Sequence, residues 1–284
     1  MAETRFGIQV VLLGVAAVFA GLVAISAEAV ERARFVTSVD AATELNSTPI
    51  TDQSVVSIRI DGSGIRVTSA LDEILPDGVD VDALSILDDG RVVFSTDVSF
   101  EIDGFTADDE DLVLNDQGEL SLVFDGSYLG LPASADLDAA HVESLAPLDV
   151  YYSLDAPVKM GSIIFNDDDI IRFNGTTHAL VRSGASMLGD EAPRADIDAL
   201  MVDPNNSQYF FSLDVAIEAG PGRPAAGPED IVVWVNGSLI LLFDASFFGI
   251  SAPGLDLDAV AVEIAFFADD FESGDTTMWS ATTP

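Results

Sequence analysis

Short apolar runs alternate along the chain with polar turns that contain Asn, Asp and Gly. Residues 93–97 and 111–114 are two such runs, and Asn236-Gly237 is one of the turns. Short β-branched and aromatic runs bounded by such turns are hairpin signals. After the N-terminal segment, no long stretch shows the 3.6-residue period of an amphipathic helix. The pattern therefore predicts an all-β protein.

A set of polar positions repeats through these strands with a period of about 60 residues. The motif Asp-x-Asp-Ala begins at Asp80, Asp136, Asp196 and Asp256, so successive copies start 56, 60 and 60 residues apart. Each of the first three copies is followed by an aromatic strand ending in Ser-x-Asp, as at residues 95–97, then by an acidic loop and two further strands. Four strands per repeat is the content of a propeller blade.

The two ends of the chain supply the halves of one more unit. Residues 55–60 and 65–68 match the third and fourth strands of a repeat. Residues 260–267 match its first two strands, with Asp270 at the position of the Ser-x-Asp aspartate. We predict a four-bladed, propeller-like ring closed by strands from both termini, because closure protects sheet edges. The alternative is an open stack or a β-sandwich capped by the half-units.

An apolar segment at the N-terminus predicts export. Arg5 precedes an uncharged run over residues 6–27, and Ala27 and Ala29 are the small residues that a signal peptidase reads. We expect cleavage after Ala29; since residues 8–25 would just span a bilayer, an uncleaved anchor is the alternative. No second spanning run follows, so the rest of the chain is expected outside the cytoplasm. The predicted organisation is a signal peptide or anchor over 1–29, a spacer or peripheral strand over 30–49, a β-repeat domain over 50–270 and a tail over 271–284.

Composition limits the partners. With 49% apolar residues the chain can bury a substantial core. Its 49 acidic against 11 basic residues give a net charge of −38, which excludes nucleic acid and anionic bilayer surfaces as partners and favours cations, cationic partners or a solvated acidic surface. There are no cysteines, so disulfides, thiolate catalysis and Cys-ligated zinc are excluded.

The aspartates of the repeated motif are candidate metal ligands. Residues two apart in a strand point to the same side, and four such pairs around a ring axis would gather oxygen ligands suited to Ca²⁺. The candidates are Asp80, Asp82, Asp136, Asp138, Asp196, Asp198, Asp256 and Asp258. The alternative is that they lie in the loop entering each unit and accept backbone N–H bonds. The acidic loops at 108–111 and 167–169 are expected to be solvated.

No residue set carries a catalytic signature. The two histidines, His141 and His178, do not recur in other repeats and are expected to be structural or exposed. Phosphate loops, zinc motifs and dinucleotide fingerprints are absent from the sequence. We predict an exported, monomeric, non-catalytic binding or structural module without a cofactor other than Ca²⁺, whose extracytoplasmic partner or carbohydrate is unknown. A secreted carbohydrate-active hydrolase using paired aspartates is the alternative.

Both the C-terminus and the repeats resemble secreted bacterial proteins. Residues 267–275 and Trp279 are similar to the tail Phe-x-Asp-Gly-Phe-Glu-Ser-Gly-Asp…Trp of many exported proteobacterial proteins, with Asp270 in place of Gly. Over residues 50–270, the units resemble the Asp-Leu-Asp-Ala…Phe-Ser-x-Asp…Asp-Glu-Asp repeats of uncharacterised secreted bacterial proteins. The resemblance implies export by a Gram-negative bacterium and no particular activity.

Overall fold

Antiparallel β-sheets make up almost all of the regular structure, so the all-β prediction is confirmed. The computed structural model describes residues 34–39, 42–45, 48–59, 65–218, 220, 224–246 and 257–263. The predicted signal peptide or anchor and the predicted tail lie outside these ranges. Within them, the helices are single turns, and none has the length and apolar character needed to cross a membrane.

Twenty-two strands and four helical turns occur in the described residues. The strands are β1 (Arg34–Thr37), β2 (Thr43–Leu45), β3 (Thr48–Ile50), β4 (Ser54–Arg59), β5 (Ile65–Ala70), β6 (Ala83–Ile86), β7 (Val92–Ser95), β8 (Phe100–Ile102), β9 (Phe105–Ala107), β10 (Leu112–Asp116), β11 (Glu119–Phe124), β12 (Ala139–Leu145), β13 (Leu148–Ser153), β14 (Val158–Met160), β15 (Ile163–Phe165), β16 (Ile170–Phe173), β17 (His178–Arg182), β18 (Ala199–Asp203), β19 (Gln208–Ser212), β20 (Ile231–Val235), β21 (Ser238–Phe243) and β22 (Ala261–Glu263). The helical turns are α1 (Gly126–Leu129), α2 (Gly184–Met187) and two 3₁₀ segments, Leu71–Glu73 and Gly189–Arg194.

Three sheets each take their four strands from one stretch of chain. Their orders are β6-β7-β10-β11, β12-β13-β16-β17 and β18-β19-β20-β21, and we call them the first, second and third units. The turn between third and fourth strands uses positive φ at both central residues, at Gln117 (57°) and Gly118 (97°) and at Asn236 (52°) and Gly237 (81°). Such turns match the twist of a two-residue hairpin, as the Asn-Gly signal predicted.

A fourth sheet combines strands from both ends of the described chain. Its order is β22-β1-β4-β5, and Phe35 lies opposite Val262 on one side and Ile58 on the other. The prediction that β4 and β5 share a sheet with the strand beginning near residue 260 is confirmed. We call this sheet the terminal unit.

The second strand of the terminal unit differs from the prediction. It is β1, which belongs to the segment predicted as a spacer or peripheral strand, whereas Asp270 lies outside the described residues. The physical reason is burial: Val36 and Val39 are buried although the surrounding segment is polar. Residues 38–40 read Ser-Val-Asp, which is the Ser-x-Asp motif in the position it has in the other units.

The first strands of the four units contact one another in cyclic order. Contacts join β6 to β12, β12 to β18, β18 to β22 and β22 to β6, and β6 also contacts β18. The backbone N–H of Val142 in β12 also donates a 2.9 Å hydrogen bond to the hydroxyl of Ser85 in β6. Each unit therefore touches its two neighbours through its first strand.

Apolar side chains fill the space between consecutive units. Phe124 of the first unit packs against Tyr152 and Phe173 of the second, with ring centroids 5.9 and 5.6 Å apart. A second cluster joins the second and third units, and a third joins the terminal and first units. In the described residues these clusters hold the terminal unit to the first, the first to the second and the second to the third by removing apolar surface from water.

A short hairpin follows the second strand of every unit. These hairpins are β8–β9, β14–β15 and β2–β3, and in the third unit an isolated bridge pairs Ile217 with Ala226. One side of each hairpin faces the core, since Phe100 and Ala107, for example, are buried. The sequence predicted an acidic loop in this region and not a hairpin.

Candidate functional site

The first, second and third units are together called the inner units. Their repeated aspartates lie at one end of the sheets. Asp80 and Asp82 precede the first strand, Asp97 follows the second, and Asp111 precedes the third. In an antiparallel sheet these positions share one end. We call it the aspartate end, and the turns between first and second and between third and fourth strands form the opposite end.

The first aspartate of the motif is bonded to the aspartate of Ser-x-Asp. The N–H of Asp80 donates to Oδ1 of Asp97 at 2.7 Å, and the N–H of Asp97 donates to the carbonyl of Asp80 at 3.3 Å. Asp196 and Asp214 repeat this exchange at 2.6 and 3.4 Å. The carboxylates of Asp80 and Asp196 themselves accept the N–H of the next residue, Val81 and Ile197, each at 2.7 Å, which is the kind of bond that the backbone-bonding alternative expects.

The serine of Ser-x-Asp donates its hydroxyl to backbone carbonyls in every unit. Ser95 bonds Asp109 and Asp111 at 3.2 and 2.8 Å, and Ser153 bonds Asp167 and Asp169 at 2.8 and 3.2 Å. In the other two units the bond reaches the following unit's Asp-x-Asp motif. Ser212 donates to Leu257 at 2.6 Å and Ser38 donates to Val81 at 3.2 Å. These hydroxyls connect neighbouring loops by hydrogen bonds. Because each donates its proton to a backbone carbonyl and not to a general base, the arrangement is not that of an activated nucleophile.

A third kind of aspartate opens the third strand of each inner unit. We call Asp111, Asp169 and Asp230 the hook aspartates, because each carboxylate accepts one N–H from three residues before it and another from fifteen residues after it. The donors and distances are Asp108 (3.0 Å) and Gly126 (2.9 Å), Asn166 (2.9 Å) and Gly184 (3.2 Å), and Gly227 (2.8 Å) and Ala245 (2.9 Å). In the terminal unit a hydroxyl takes this place, and Ser54 Oγ accepts from the N–H of Thr51 at 3.1 Å.

The expectation that the acidic loops at 108–111 and 167–169 are solvated holds for Asp108, which is exposed, but is wrong for four other acids of these loops. Glu110, Asp111, Asp168 and Asp169 are only 2, 5, 6 and 2% exposed. Burial raises the pKa of Glu110 to about 7 and that of Asp168 to about 6. The acidic composition predicted a solvated loop, whereas backbone N–H groups hydrogen-bond to the carboxylates of Asp111 and Asp169 and hold them in the interior.

Carboxylates of the Asp-x-Asp motif interact across unit boundaries. Burial, followed by the charge of Asp136, raises the pKa of Asp82 to about 8. Burial and neighbouring acids raise the pKa of Asp136 to about 7, and burial and Asp196 raise that of Asp138 well above its usual range. Burial also raises the pKa of Asp196 to about 9. The aspartate end is therefore a region of mutual repulsion in which part of the carboxyls hold protons near neutral pH.

The eight candidate ligands do not form a finished metal site in the described residues. No group of three or more His, Asp or Glu side chains there is arranged to hold a metal ion. Asp198 adds to the repulsion felt by Asp196, Asp258 is 9% exposed, and Asp256 lies outside the described residues. Ca²⁺ binding at these positions stays a prediction.

The histidines occupy two different environments. His178 opens β17, where Nε2 donates to the carbonyl of Leu129 at 3.0 Å and Nδ1 accepts from the hydroxyl of Tyr152 at 2.7 Å. Burial lowers the pKa of His178, so the neutral ring joins the first and second units. His141 lies 3.4 Å from Glu143 in a groove of about 360 Å³ at the opposite end. The expected structural role fits His178.

Comparison with known proteins gives remote structural similarity only. No protein-family model and no curated protein matches the chain. The solved structures that are similar include YCF48 bound to a D1 peptide, with TM-score 0.32 and 8% identity over 72% of this chain and 50% of that one. Another is the β-propeller domain of Cps50 (Swd1) from Myceliophteria thermophila, with TM-score 0.30 and 10% identity over 72% and 53%.

A third similar structure is the extracellular domain of a putative one component system from Bacteroides thetaiotaomicron. It has TM-score 0.29 and 10% identity over 72% of this chain and 38% of that one. The chain thus spans about half or less of the length of these proteins. Their similarity is too low to assign a partner or an activity.

Proposed function

We propose that the protein is an extracytoplasmic, non-catalytic binding or structural module built as a closed four-bladed propeller-like ring. The terminal unit carries the proposal, because β1 from one end of the chain lies between β22 from the other end and β4. Cyclic contacts among the four first strands support the same arrangement. Closure leaves no exposed inner sheet edge, which suits a rigid scaffold for loops.

The use of the repeated polar residues supports a non-catalytic role. The Ser-x-Asp hydroxyls donate to backbone carbonyls, and Asp97 and Asp214 accept backbone N–H bonds, so these groups maintain the loops. The test is hydrolysis of a panel of neutral and charged polysaccharides by purified protein. We expect no turnover above background. Turnover that disappears in Asp82→Asn would replace the binding module with the paired-aspartate hydrolase.

Export rests on the sequence of the N-terminal segment. Cleavage after Ala29 would leave β1, which begins at Arg34, within the mature chain, as the terminal unit requires. Intact mass of material expressed with its own leader in a Gram-negative host tests this. A chain beginning at Val30 is expected, whereas retention of residues 1–29 would indicate a membrane anchor.

Ca²⁺ is proposed to stabilise the aspartate end. A divalent ion between carboxylates replaces repulsion with attraction, and only the folded protein brings Asp82, Asp138 and Asp196 together. We expect a higher Tm in CaCl₂ than in NaCl at equal ionic strength. Equal Tm values would leave charge screening as the sole effect of salt and remove Ca²⁺ from the proposal.

A further inference from the structure

Exposed apolar side chains collect at the aspartate end. Of the large apolar residues that are strongly exposed in the described part of the chain, five lie in connections at this end: Val98 (43%), Tyr128 (85%), Ile163 (49%), Ile164 (59%) and Val215 (36%). Val98 and Val215 directly follow the Ser-x-Asp aspartates, and the two isoleucines lie in β15 of hairpin β14–β15. Apolar side chains exposed beside a functional surface often mark an interaction site.

Hairpin β14–β15 does not need its apolar outer side in order to fold. In the first unit the equivalent hairpin places Glu101 opposite Thr106, whereas in the second unit Lys159 lies opposite Ile164. Both hairpins bury the same flanking pair, Phe100 with Ala107 in one and Val158 with Phe165 in the other. At the place of Ile164 the first unit carries Thr106, and at the place of Ile163 it carries the partly buried Phe105, so the exposed apolar pair is a property of this one hairpin.

Four of the described arginines are engaged with other side chains. At the opposite end, Arg91 pairs with Asp89 and Arg172 pairs with Asp149. At the aspartate end, Arg194 pairs with Glu191, and the guanidinium of Arg182 lies 5.1 and 4.8 Å from the rings of Tyr209 and Trp234. Beside the exposed isoleucines, Asp155 and Asp167 flank the hairpin in sequence and Lys159 is its single basic residue, so the local charge is negative.

We propose that the aspartate end, centred on hairpin β14–β15, docks a cationic amphipathic segment of a partner protein. Aliphatic side chains of that segment would cover Ile163 and Ile164, and its Lys or Arg side chains would face the aspartates on either side of the hairpin, Asp155 and Asp167. Apolar contact provides affinity, while charge complementarity selects a basic partner and speeds its association. This inference rests on the proposed binding function and names the partner class.

The position of Lys159 gives a test with a defined sign. It is the single lysine of the chain and lies on the outward side of the docking hairpin. For a basic partner, Lys159→Glu removes a repulsive charge and introduces the residue that the first unit carries at this place, so affinity should rise about threefold or more. For an acidic partner the same change lowers affinity.

The experiment uses the mature full chain and three fluorescent peptides that alternate Leu with Lys, Leu with Glu, and Ser with Lys. Anisotropy at physiological salt should show binding of the Leu–Lys peptide only. Ile163→Ser with Ile164→Thr should weaken it at least about tenfold. The matched control, Leu122→Ser with Leu180→Ser, removes residues of similar exposure (39 and 47%) from the fourth strands β11 and β17. It should leave the affinity for the peptide unchanged.

Three results would overturn the docking proposal. Equal affinity of the hairpin variant and the outer-strand control would indicate unspecific charge attraction. A lower affinity in Lys159→Glu would indicate an acidic partner, and dissociation of a dimer by the hairpin variant in light scattering would make a second copy the occupant. None of these outcomes affects ring closure or the absence of turnover, which are measured separately.

Discussion

The hook aspartate of the third unit offers the sharpest test of how the loops are held. Asp230 is 8% exposed, and its two carboxylate oxygens accept the N–H groups of Gly227 and Ala245 at 2.8 and 2.9 Å. Asp230→Ala leaves the buried N–H of Ala245 and the partly buried N–H of Gly227 without this acceptor. Each lost hydrogen bond to a charged group costs about 1.5–3 kcal/mol, so we expect the free energy of unfolding to fall by about 4 kcal/mol.

The terminal unit suggests a partial rescue. Because Ser54 serves as the hook there with one N–H bond, Asp230→Ser should restore one acceptor and lose about half as much stability as Asp230→Ala. Urea unfolding followed by tryptophan fluorescence measures both variants, with exposed Asp77→Ala as the control. A loss below about 1 kcal/mol in Asp230→Ala, or the same loss in Ser and Ala variants, would refute the hook as a stabilising element.

Three further changes have defined outcomes. Raising the pH from 7 to 9 should lower the free energy of unfolding by at least about 1–2 kcal/mol, because Asp82 and Asp196, with folded pKa values of about 8 and about 9, hold protons in this range that the unfolded chain has lost; a constant free energy in urea unfolding would contradict this. Gly184→Ala should lower Tm, since a Cβ there would lie 2.0 Å from Oδ2 of buried Asp168, whereas Ala245→Gly at the equivalent place should change it little. His178→Phe should lower the free energy of unfolding by about 1–3 kcal/mol, because two hydrogen bonds are lost. An unchanged free energy of unfolding would show that His178 contributes packing alone.

The strand content and the repeat followed from the sequence because both depend on local patterns. Apolar runs and Asn-Gly turns predicted the hairpin at Asn236, and the Asp-x-Asp spacing placed the starts of the first strands. The half-units at the ends predicted that β4 and β5 would join a strand near residue 260. Each of these inferences needs only period and turn chemistry.

The second strand of the terminal unit could not be found in the same way. One of its two partners in the sheet, β22, lies more than 200 residues away, and β1 is only four residues long, so no local period marks it. The available signal was Ser38-Val39-Asp40, a fourth Ser-x-Asp far from any Asp-x-Asp in sequence. Asp270 was a closer match by position alone, and position along the chain misled the prediction.

The buried acids were missed because composition says nothing about backbone bonding. The sequence signal for these buried acids was an aspartate at the same place in the first, second and third units. Each lies three positions after a residue whose N–H it accepts: Asp111, Asp169 and Asp230. The hook also needs a donor fifteen residues later, across two strands, which only the folded hairpin brings near.

Ring closure is tested most directly by a cross-link between β1 and β22. Phe35 and Val262 lie opposite each other, and the chain has no cysteines of its own. Cysteines at these two positions should form a disulfide within one molecule on mild oxidation, seen as a monomer of faster migration on a non-reducing gel and as a two-dalton loss in mass. The offset pair Phe35→Cys with Ala261→Cys should stay largely reduced. Free thiols in both variants, or cross-linking only between molecules, would contradict a ring closed by strands from both ends of the chain.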